Sequence, residues 1–497
     1  MTASATDARS PRIVIVGAGF SGIGLAVYLK QAGIHDFVIL EKAAMLGGTW
    51  RENTYPGAEC DVPSALYSYS FEHNAQWHYK WAEQAQILDY LSHVAEKHEL
   101  LPHMRFGQQV VGATWDASRH VWQVRQADET TLECQFLVTA VGQLHVPNTT
   151  RLANADAFRG EQFHSAQWRH DVDLKGKRVA VIGNAASALQ FIPDLAKQAA
   201  RLSVFQRSPN WVLPKQDRPY AAWEQWLSDH IPGIAKLYRL RLWLRAELII
   251  FPLMRGNRWL AKLVTKMAND HLKEKISDPE LRKKLQPDYP IGAKRILFSD
   301  NYYDALACPN VELVTTPIAG LTESGVRCTD GREIAADVVI YGTGFRTNPF
   351  LASIALVGAG DTPLSQQWRD GAHAYLGIST SGFPNLFMMY GPNTNLGHNS
   401  IIIMSEAQAR YIVQCIQGLD RLGMVTMDVK TEIETAFNDE MQQRLADMVW
   451  SKVEASWYID GKRITNNWAG STQEYLRRCK HVNWENYQLT SAAAPAS

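Results

Sequence analysis

The run Ile13-Val14-Ile15-Val16-Gly17-Ala18-Gly19-Phe20-Ser21-Gly22 decides the fold near the start of this 497-residue chain. A short β-branched strand leads into a glycine turn, an apolar-periodic helix follows to about Gln31, and a second strand ends at Glu41. This order is that of a β-α-β unit whose G-x-G-x-x-G turn binds a dinucleotide. Glu41 lies 19 positions after Gly22, where an acidic residue accepts hydrogen bonds from an adenosine ribose.

Each glycine of this turn has its own task. Gly17 permits the tight turn, Gly19 lets the backbone approach a pyrophosphate, and Gly22 lets helix and strand pack closely. The helix that begins near Phe20 presents unpaired N–H groups to the phosphates. A glycine turn that binds no nucleotide is the alternative, but strand, helix and acidic residue all occupy the positions that nucleotide binding requires.

A second unit of this kind begins with a strand over residues 177–182 and returns as a strand over residues 202–205. Ala185 replaces the second glycine, and its methyl group weakens the pattern because the pyrophosphate comes closest there. Arg207 follows the returning strand, where a guanidinium suits a 2′-phosphate. We therefore predict NADPH here, and two dinucleotide sites imply a flavin that receives electrons from a nicotinamide. The candidate residues of this turn are Gly183, Asn184, Ala185, Ser187 and Ala188.

The predicted fold class is α/β, with two Rossmann-like dinucleotide-binding domains, for FAD and NADPH, and a helical insertion. Two further β-rich runs, at residues 136–142 and 337–344, end in glycine where we expect the chain to cross between the domains. The expected FAD-binding domain comprises residues 1–148 and 337–497, the NADPH-binding domain residues 149–218 and 285–336, and the insertion residues 219–284.

Composition excludes several classes of protein. Fifty Lys and Arg balance fifty Asp and Glu, so the chain lacks the positive charge that nucleic-acid binding needs. The six cysteines form no C-x-x-C or metal spacing, which argues against a metal site and a dithiol-using disulfide reductase and favours a reducing cytoplasm. The apolar stretch 240–264 is interrupted by charges, so we predict no transmembrane segment; contact with a membrane surface is the alternative there.

Between the two nucleotide units, residues 158–168 read F-x-G-x-x-x-H-x-x-x-W, from Phe158 to Trp168. This pattern resembles the fingerprint of type I Baeyer–Villiger monooxygenases, class B flavoprotein monooxygenases related to the flavin-containing monooxygenases. The resemblance extends over nearly the whole chain, including residues 47–50, 55–58, 60–62, 67–71, 293–295, 302–303, 342–345, 382–387 and 391–395. Arg169, Ala185 and Glu59 depart from the family's usual residues.

The resemblance implies a reaction in which NADPH reduces FAD, the reduced flavin captures O2 as a C4a-peroxide, and this species converts a ketone into an ester or lactone. It assigns Arg295 as the permanently charged donor beside flavin and nicotinamide. Asp61 would position that guanidinium. An ordinary surface ion pair is the alternative for these two residues.

The resemblance also implies cofactor contacts elsewhere in the chain. Trp50 and Tyr67 would lie near the flavin, Val110 near its adenosine part, and Lys294 would bind the 2′-phosphate together with Arg207 and Ser208. Asn393, in the motif at 391–395, is a further cofactor candidate. His164 and Trp168 are expected to shape the linker rather than to act as acid or base. The segment from Ser456 and Trp457 to Thr472 resembles a family loop that closes over nicotinamide and substrate.

Three activities remain open from the sequence. The first is oxygenation of a ketone, with sulfide oxidation as a side activity; the second is N- or S-oxygenation by a related flavin monooxygenase. The third is an NADPH oxidase-like flavoprotein that oxygenates nothing. The sequence does not identify the ketone or the oligomeric state.

Overall fold

The computed structural model describes residues 10–74, 76–149, 152–453, 458–461 and 463–492. Its first unit is built on a sheet of five parallel strands with the run at residues 13–16 in the centre. All four residues of that central strand are buried, as expected for a parallel strand covered on both faces. In spatial order the strands are Leu386–Met388, Phe136–Thr139, Ile13–Val16, Phe37–Glu41 and Met104–Phe106.

Helices and a smaller sheet complete the first unit. The helix after the glycine turn, Phe20–Gln31, packs against the long helix Ile401–Leu422. Both lie with the helix Gln84–Lys97 in one continuous apolar core. A four-stranded sheet consists of Ala355–Val357, Val110–Asp116, Val121–Gln126 and Thr131–Cys134. Near the C-terminus lie the strands Met424–Val429 and Tyr487–Ser491, which pair with each other, and the helices Thr431–Ala446 and Thr472–Arg478.

The second unit is also a parallel sheet of five strands, again with its glycine turn after the central strand. In spatial order these strands are Val311–Val314, Arg201–Phe205, Arg178–Ile182, Val338–Tyr341 and Glu161–His164. The helices Ala186–Gln198 and Tyr302–Leu306 cover it, and a three-stranded antiparallel sheet of Ile318–Leu321, Gly325–Cys328 and Glu333–Ala335 is attached to it. The predicted pair of Rossmann-like units is confirmed.

One predicted boundary is wrong. The strand Val338–Tyr341 was expected in the first domain, which was to resume at residue 337. Instead it pairs in parallel with Arg178–Ile182 and with Glu161–His164, inside the second sheet. Asp337 fixes this position, because its carboxylate accepts hydrogen bonds from Arg178 and its carbonyl accepts one from the Glu161 backbone. The chain therefore returns to the first unit only after Tyr341.

The insertion is helical, as predicted, and it is anchored to the first unit. Its elements are Ala222–His230, Ile234–Arg245, a π-helical turn Ala246–Ile250, Phe251–Met254, Arg258–Lys275 and Pro279–Leu285. Buried Glu247, in the π-helical turn, accepts hydrogen bonds from the Thr472 hydroxyl at 2.5 Å and the Asn399 amide at 2.9 Å. Among the described residues, no helix has the length and apolarity needed to cross a bilayer.

Candidate active site

A cavity of about 790 Å³ lies between the two units and reaches into the insertion. Its size is that of a site for a cofactor or a sizeable ligand. The first unit contributes the glycine turn and Glu41, the second contributes Ser187 and Gln190, and the insertion contributes Leu242 and Met254. Residues from three parts of the chain therefore line one cavity, in which a bound flavin and a nicotinamide would meet.

The first glycine turn has the shape that a dinucleotide needs. Gly17 has a φ of +109°, and a Cβ there would lie 2.7 Å from the Ala140 carbonyl oxygen. A Cβ on Gly22 would lie only 2.0 Å from the Gly17 carbonyl oxygen, so the helix packs directly against the turn. Gly19 faces Gly48, whose own Cβ would lie 3.2 Å from the Gly19 Cα. Two bare backbone segments thus line the cavity, and a pyrophosphate fits against them.

Hydrogen bonds fix the Glu41 side chain at the end of its strand. Its buried carboxylate accepts hydrogen bonds from the Ala18 N–H at 2.9 Å, the Ala43 N–H at 3.0 Å and Arg51 at 3.0 Å. Two of these three bonds fall on Oε1, so Oε2 keeps acceptor capacity, and Glu41 is part of the cavity wall. A ribose hydroxyl is the donor that suits this position.

The aromatic residues predicted near the flavin do line the cavity. The Trp50 indole N–H donates to the Tyr67 hydroxyl at 3.3 Å, and the Phe20 ring meets the Tyr67 ring edge-on with centroids 5.1 Å apart. Burial raises the pKa of Tyr67 well above its usual value, so its hydroxyl keeps its proton. Val110, the first residue of its strand, lies in the same wall. The residues present therefore fit FAD.

The second glycine turn is similar but tighter at one point. Gly183 has a φ of +106°, and a Cβ there would lie 2.5 Å from the Gly342 carbonyl oxygen. Ala188 packs on Gly342, where a Cβ would lie 3.1 Å from the Ala188 Cβ. Ala185 caps the helix Ala186–Gln198 with extended backbone that any residue adopts. Its methyl group is therefore compatible with the turn itself.

Asn184 braces this second turn. Its side-chain amide donates to the Gln206 side-chain oxygen at 2.9 Å and to the Ser208 carbonyl at 3.1 Å. It thereby ties the turn to the end of the neighbouring strand. Ser187, by contrast, lines the cavity.

Two cations lie at the outer end of the second unit. Arg207 is exposed and Lys294 is half-buried, with its ammonium 4.5 Å from the centre of the Tyr289 ring. Burial lowers the pKa of Lys294, and the positive charge of Arg207 lowers it further. Since each cation disfavours the other, an anion between them would relieve the repulsion, and a 2′-phosphate has the right charge.

We expect Arg207→Ala to raise the KM for NADPH about 10- to 100-fold and to leave the KM for NADH nearly unchanged, since it removes charge-assisted hydrogen bonds to the 2′-phosphate alone. Steady-state kinetics with both cofactors would measure this. Lys177→Ala is the matched control, because Lys177 is an exposed cation next to the opposite end of the sheet. An unchanged ratio of kcat/KM between the two cofactors would contradict the role of Arg207.

The Asp61 and Arg295 side chains form an ion pair in the cavity wall. They are 234 positions apart in sequence and come from the first unit and from the segment after the insertion. The negative charge of Asp61 is the main reason that the pKa of Arg295 lies above its ordinary value. Arg295 thus stays charged at any working pH, with donors left to face a ligand.

Two tyrosines beside this ion pair were not singled out by the sequence analysis, although Tyr458 belongs to the segment predicted to close over nicotinamide and substrate. Tyr390 and Tyr458 line the cavity near Arg295, and burial raises the pKa of both phenols, that of Tyr458 to about 12. The Tyr390 hydroxyl donates to the Asn395 side-chain oxygen at 2.6 Å. Tyr390 immediately precedes the quoted motif at 391–395, which was the available signal. Both phenols therefore remain protonated and uncharged beside the guanidinium.

The prediction that Asn393 binds a cofactor is not supported by its position. Its φ of +54° turns the side chain into the loop, where the amide donates to the carbonyls of Ile464 and Asn467. Asn393 is buried and is absent from the described cavity wall, whereas Asn395 is part of it. Asn393 therefore holds the loop that positions its neighbours.

His164 and Trp168 lie outside the described cavity wall. The His164 Nδ1 accepts a hydrogen bond from the Ala166 N–H at 3.0 Å, and burial lowers the pKa of the ring. Trp168 packs its ring against Phe163 and Phe191. Both positions fit the linker role expected from the sequence. Ser456 and Trp457 lie outside the described residues, and the part of that segment after them begins with Tyr458 in the cavity wall.

A second ion pair in the wall had no sequence signal. The Lys215 ammonium lies 2.5 Å from the Glu59 carboxylate, 3.7 Å from the Asp217 carboxylate and 5.3 Å from the centre of the Trp81 ring. Glu59 is the residue that departs from the family's common arginine. Burial raises the pKa of the Glu59 carboxyl, and the Lys215 charge opposes that rise. The Lys215 charge therefore stabilises the ionised form of Glu59, which burial in the cavity wall disfavours.

Lys215→Met should lower the free energy of unfolding by about 2–3 kcal/mol near neutral pH, because it leaves the Glu59 carboxylate without its cation. This loss in the free energy of unfolding is smaller than the usual cost of breaking a fully buried ion pair, because 25% of the Glu59 side chain is exposed. The loss should vanish below the ordinary glutamate pKa of 4.5 and grow as the pH rises, because a raised pKa favours the protonated folded state.

Denaturant unfolding of the Lys215→Met variant at about pH 5 and about pH 8 would measure this difference. Glu59→Gln combined with Lys215→Met should recover most of the stability. Lys197→Met, which breaks an exposed ion pair with Asp194, serves as the control and should cost less than about 1 kcal/mol. A loss that does not depend on pH would show that Lys215 acts through packing alone.

The two glycine turns and the charged cavity between them define a flavoprotein oxidoreductase with two dinucleotide-binding units. A family model described as pyridine nucleotide-disulphide oxidoreductase matches residues 14–236. All six cysteines of this chain are nevertheless free, and five of them are buried.

Comparison with known proteins defines the family more closely. The chain is 40% identical to a Baeyer–Villiger monooxygenase of Streptomyces coelicolor, over 97% of this chain and 93% of that protein. It is 39% identical to a Baeyer–Villiger monooxygenase of Pseudomonas aeruginosa, over 98% and 93% respectively. A solved steroid monooxygenase bound to NADP is similar with a TM-score of 0.88 and 30% identity, covering 97% of this chain and all of that one. The chain belongs to the Baeyer–Villiger monooxygenase family.

Proposed function

We propose that the protein is an FAD-dependent monooxygenase that consumes NADPH and O2 and converts ketones into esters or lactones. One oxygen atom enters the bond between the carbonyl carbon and a substituent, and the other leaves as water. The observation that carries this proposal is the Asp61 and Arg295 ion pair in the wall of the cavity between the two dinucleotide turns. FAD, once bound, would take up electrons from NADPH and use them to activate O2.

The chain's own residues have distinct tasks in this proposal. Arg295 holds a permanent positive charge where negative charge develops on oxygen, and it orients the ketone carbonyl by hydrogen bonding. Asp61 fixes the direction of the guanidinium. Tyr390 and Tyr458 keep their protons because burial raises the pKa of both, so the wall beside the guanidinium carries no second charge from these phenols.

The cavity wall that holds this ion pair is rich in apolar side chains. Apolar side chains such as Leu66, Leu242 and Ile250 line it, and the rings of Trp50 and Tyr67 meet edge-on in the same wall. A cavity with mostly apolar walls strengthens each electrostatic contact inside it. The contact between Arg295 and a bound ketone would therefore be stronger here than in water.

Binding of NADPH is proposed at the second turn, with Arg207, Ser208 and Lys294 around the 2′-phosphate. The residues that we propose as FAD contacts are Gly17, Gly19, Phe20, Glu41, Trp50, Tyr67 and Val110, all of which line the cavity. We also propose that the protein works in the cytoplasm, since its free cysteines suit a reducing compartment.

Product analysis tests the proposed activity. The purified yellow protein would be given NADPH, O2 and a panel of paired ketones and sulfides, and products would be identified by mass spectrometry. An ester or lactone formed in proportion to NADPH consumed is the expected result, with sulfoxide as a side product. Oxidation of sulfides alone would instead identify an S-oxygenating enzyme, and stoichiometric hydrogen peroxide without oxygenated product would identify an oxidase.

A further inference from the structure

The helical insertion exposes most of the protein's large apolar side chains that face solvent. Trp259 is 71% exposed, Leu248 68% and Trp223 64%. Most of the other exposed apolar side chains of this size, among the described residues, also lie here: Trp226, Ile231, Leu237, Leu240, Leu244, Ile249, Leu263 and Met267. An exposed apolar region of this extent marks a binding surface rather than an ordinary solvent-facing one.

These side chains form regular stripes on two helices. On Ile234–Arg245 and the π-helical turn after it, Leu237, Leu240, Leu244 and Leu248 are spaced by three or four residues and so share one face. On Arg258–Lys275, Trp259, Leu263 and Met267 are spaced by four. Such a stripe normally faces a core, but here it faces outward.

The first of these helices is firmly docked by its opposite face. Arg239 donates to the Ala65 carbonyl at 2.8 Å, and the Trp243 indole N–H donates to the Thr472 hydroxyl at 2.8 Å. Its exposed leucines are therefore not the result of a loosely attached helix. They are held at the surface by an anchored scaffold.

Basic side chains flank the apolar stripes. Arg241 and Arg245 lie next to the leucine stripe, and Arg258, Lys262 and Lys266 lie next to the stripe that starts at Trp259; all five are exposed. Between Ile234 and Met267 the chain has eight Lys or Arg and a single acidic residue, Glu247, which is buried. This segment carries a charge of +7 in a chain of zero net charge.

We propose that this face, defined by the exposed residues of Ile234–Arg245, Ala246–Ile250 and Arg258–Lys275, binds the surface of an anionic lipid bilayer. Apolar side chains between rows of cations match acyl chains beneath negatively charged headgroups. A second copy of this chain fits less well, because a twofold interface would bring two strongly positive faces together. The protein would lie on the bilayer, which agrees with a cytoplasmic location.

The cavity reaches the surface beside this face. Arg245 and Met267 belong both to the cavity wall and to the exposed residues of the two helices, and Leu242 and Ile250 line the cavity from the same segment. An apolar molecule dissolved in the bilayer would therefore have a short path to the ion pair. This last step rests on the proposed function, whereas lipid binding does not.

Vesicle sedimentation with the holoenzyme tests the proposal. Vesicles of phosphatidylglycerol mixed with phosphatidylcholine should bind the protein, vesicles of phosphatidylcholine alone should bind it at least about tenfold more weakly, and added salt should weaken the binding. Two triple variants, Leu240→Ser/Trp259→Ser/Leu263→Ser and Arg241→Glu/Arg258→Glu/Lys262→Glu, should each lower binding by about tenfold or more. None of these six residues lines the cavity within the described wall, so both variants should keep NADPH oxidation.

Leu101→Ser/Leu422→Ser is the matched control, since these leucines are exposed to a similar degree outside the insertion. This variant should bind vesicles like the parent protein. Failure of the parent to bind either vesicle, or equal binding by all variants, would overturn the proposal. So would light scattering that shows a dimer which the leucine and tryptophan changes convert to a monomer. A protein that binds vesicles but oxygenates no ketone would refute only the proposed function.

Discussion

Arg295→Ala is expected to lower ester formation by about 10²- to 10³-fold, the loss typical when one donor that stabilises a developing oxyanion is removed. The reason is the position of the guanidinium, which lies in the cavity wall with Asp61 behind it and two protonated tyrosines beside it. Neither tyrosine carries a charge that could replace it. Gas chromatography of the ester against NADPH consumed would measure the loss.

Arg295→Lys separates charge from geometry. Lysine keeps the positive charge but loses the planar fork, so this variant should recover only part of the activity. Asp61→Asn should act in the same direction as Arg295→Ala but more weakly, because the guanidinium remains and only its orientation is released. Arg332→Ala, which removes an exposed arginine outside the described cavity wall, is the control. Full ester formation by Arg295→Ala would refute the proposed mechanism.

Gly19→Ala and Gly22→Ala should both lose flavin, but for different physical reasons. A Cβ on Gly19 has no heavy atom of the protein closer than the Gly48 Cα at 3.7 Å, so the cofactor-free fold should tolerate it. The methyl group then occupies the space that a pyrophosphate needs, and loss of its charge-assisted hydrogen bonds should weaken flavin binding about 10- to 100-fold.

A Cβ on Gly22 instead collides with the Gly17 carbonyl oxygen at 2.0 Å. The helix must move away from the strand, which should cost about 1–3 kcal/mol of stability even without flavin, despite the better helix propensity of alanine. Flavin absorbance after gel filtration and unfolding of the flavin-free proteins distinguish the two variants. Gln31→Ala, at an exposed position of the same helix, is the control. Equal destabilisation by Gly19→Ala and Gly22→Ala would contradict this division of tasks.

The parts of the fold that sequence predicts well are local ones. A strand, a glycine turn, a helix and an acidic residue within 29 positions, Ile13 to Glu41, specify the first unit because each element contacts the next along the chain. The structure places the helix at Phe20–Gln31, ending where the apolar periodicity ends. The turn chemistry alone therefore predicted the nucleotide-binding geometry.

Features that depend on distant pairing were harder to predict. The strand Val338–Tyr341 has the same composition whichever sheet it joins, and its pairing with Arg178–Ile182 and Glu161–His164 places it in the second sheet. Glu59 and Lys215 are 156 positions apart, and no periodicity links them. The partnership of Asp61 with Arg295 was available only through the family resemblance. The Asn393 side chain turns into its own loop, and a motif shows which residue is present but not which way its side chain turns.

Cys60 lies in the cavity wall directly before Asp61. Burial raises the pKa of its thiol, and the neighbouring carboxylate raises it further. The sulfur consequently stays protonated, and a protonated thiol reacts poorly with hydrogen peroxide. Burial likewise raises the thiol pKa of Cys134, Cys415 and Cys479. These four thiols are thus held in the protonated form, which resists oxidative inactivation in a flavoprotein exposed to O2.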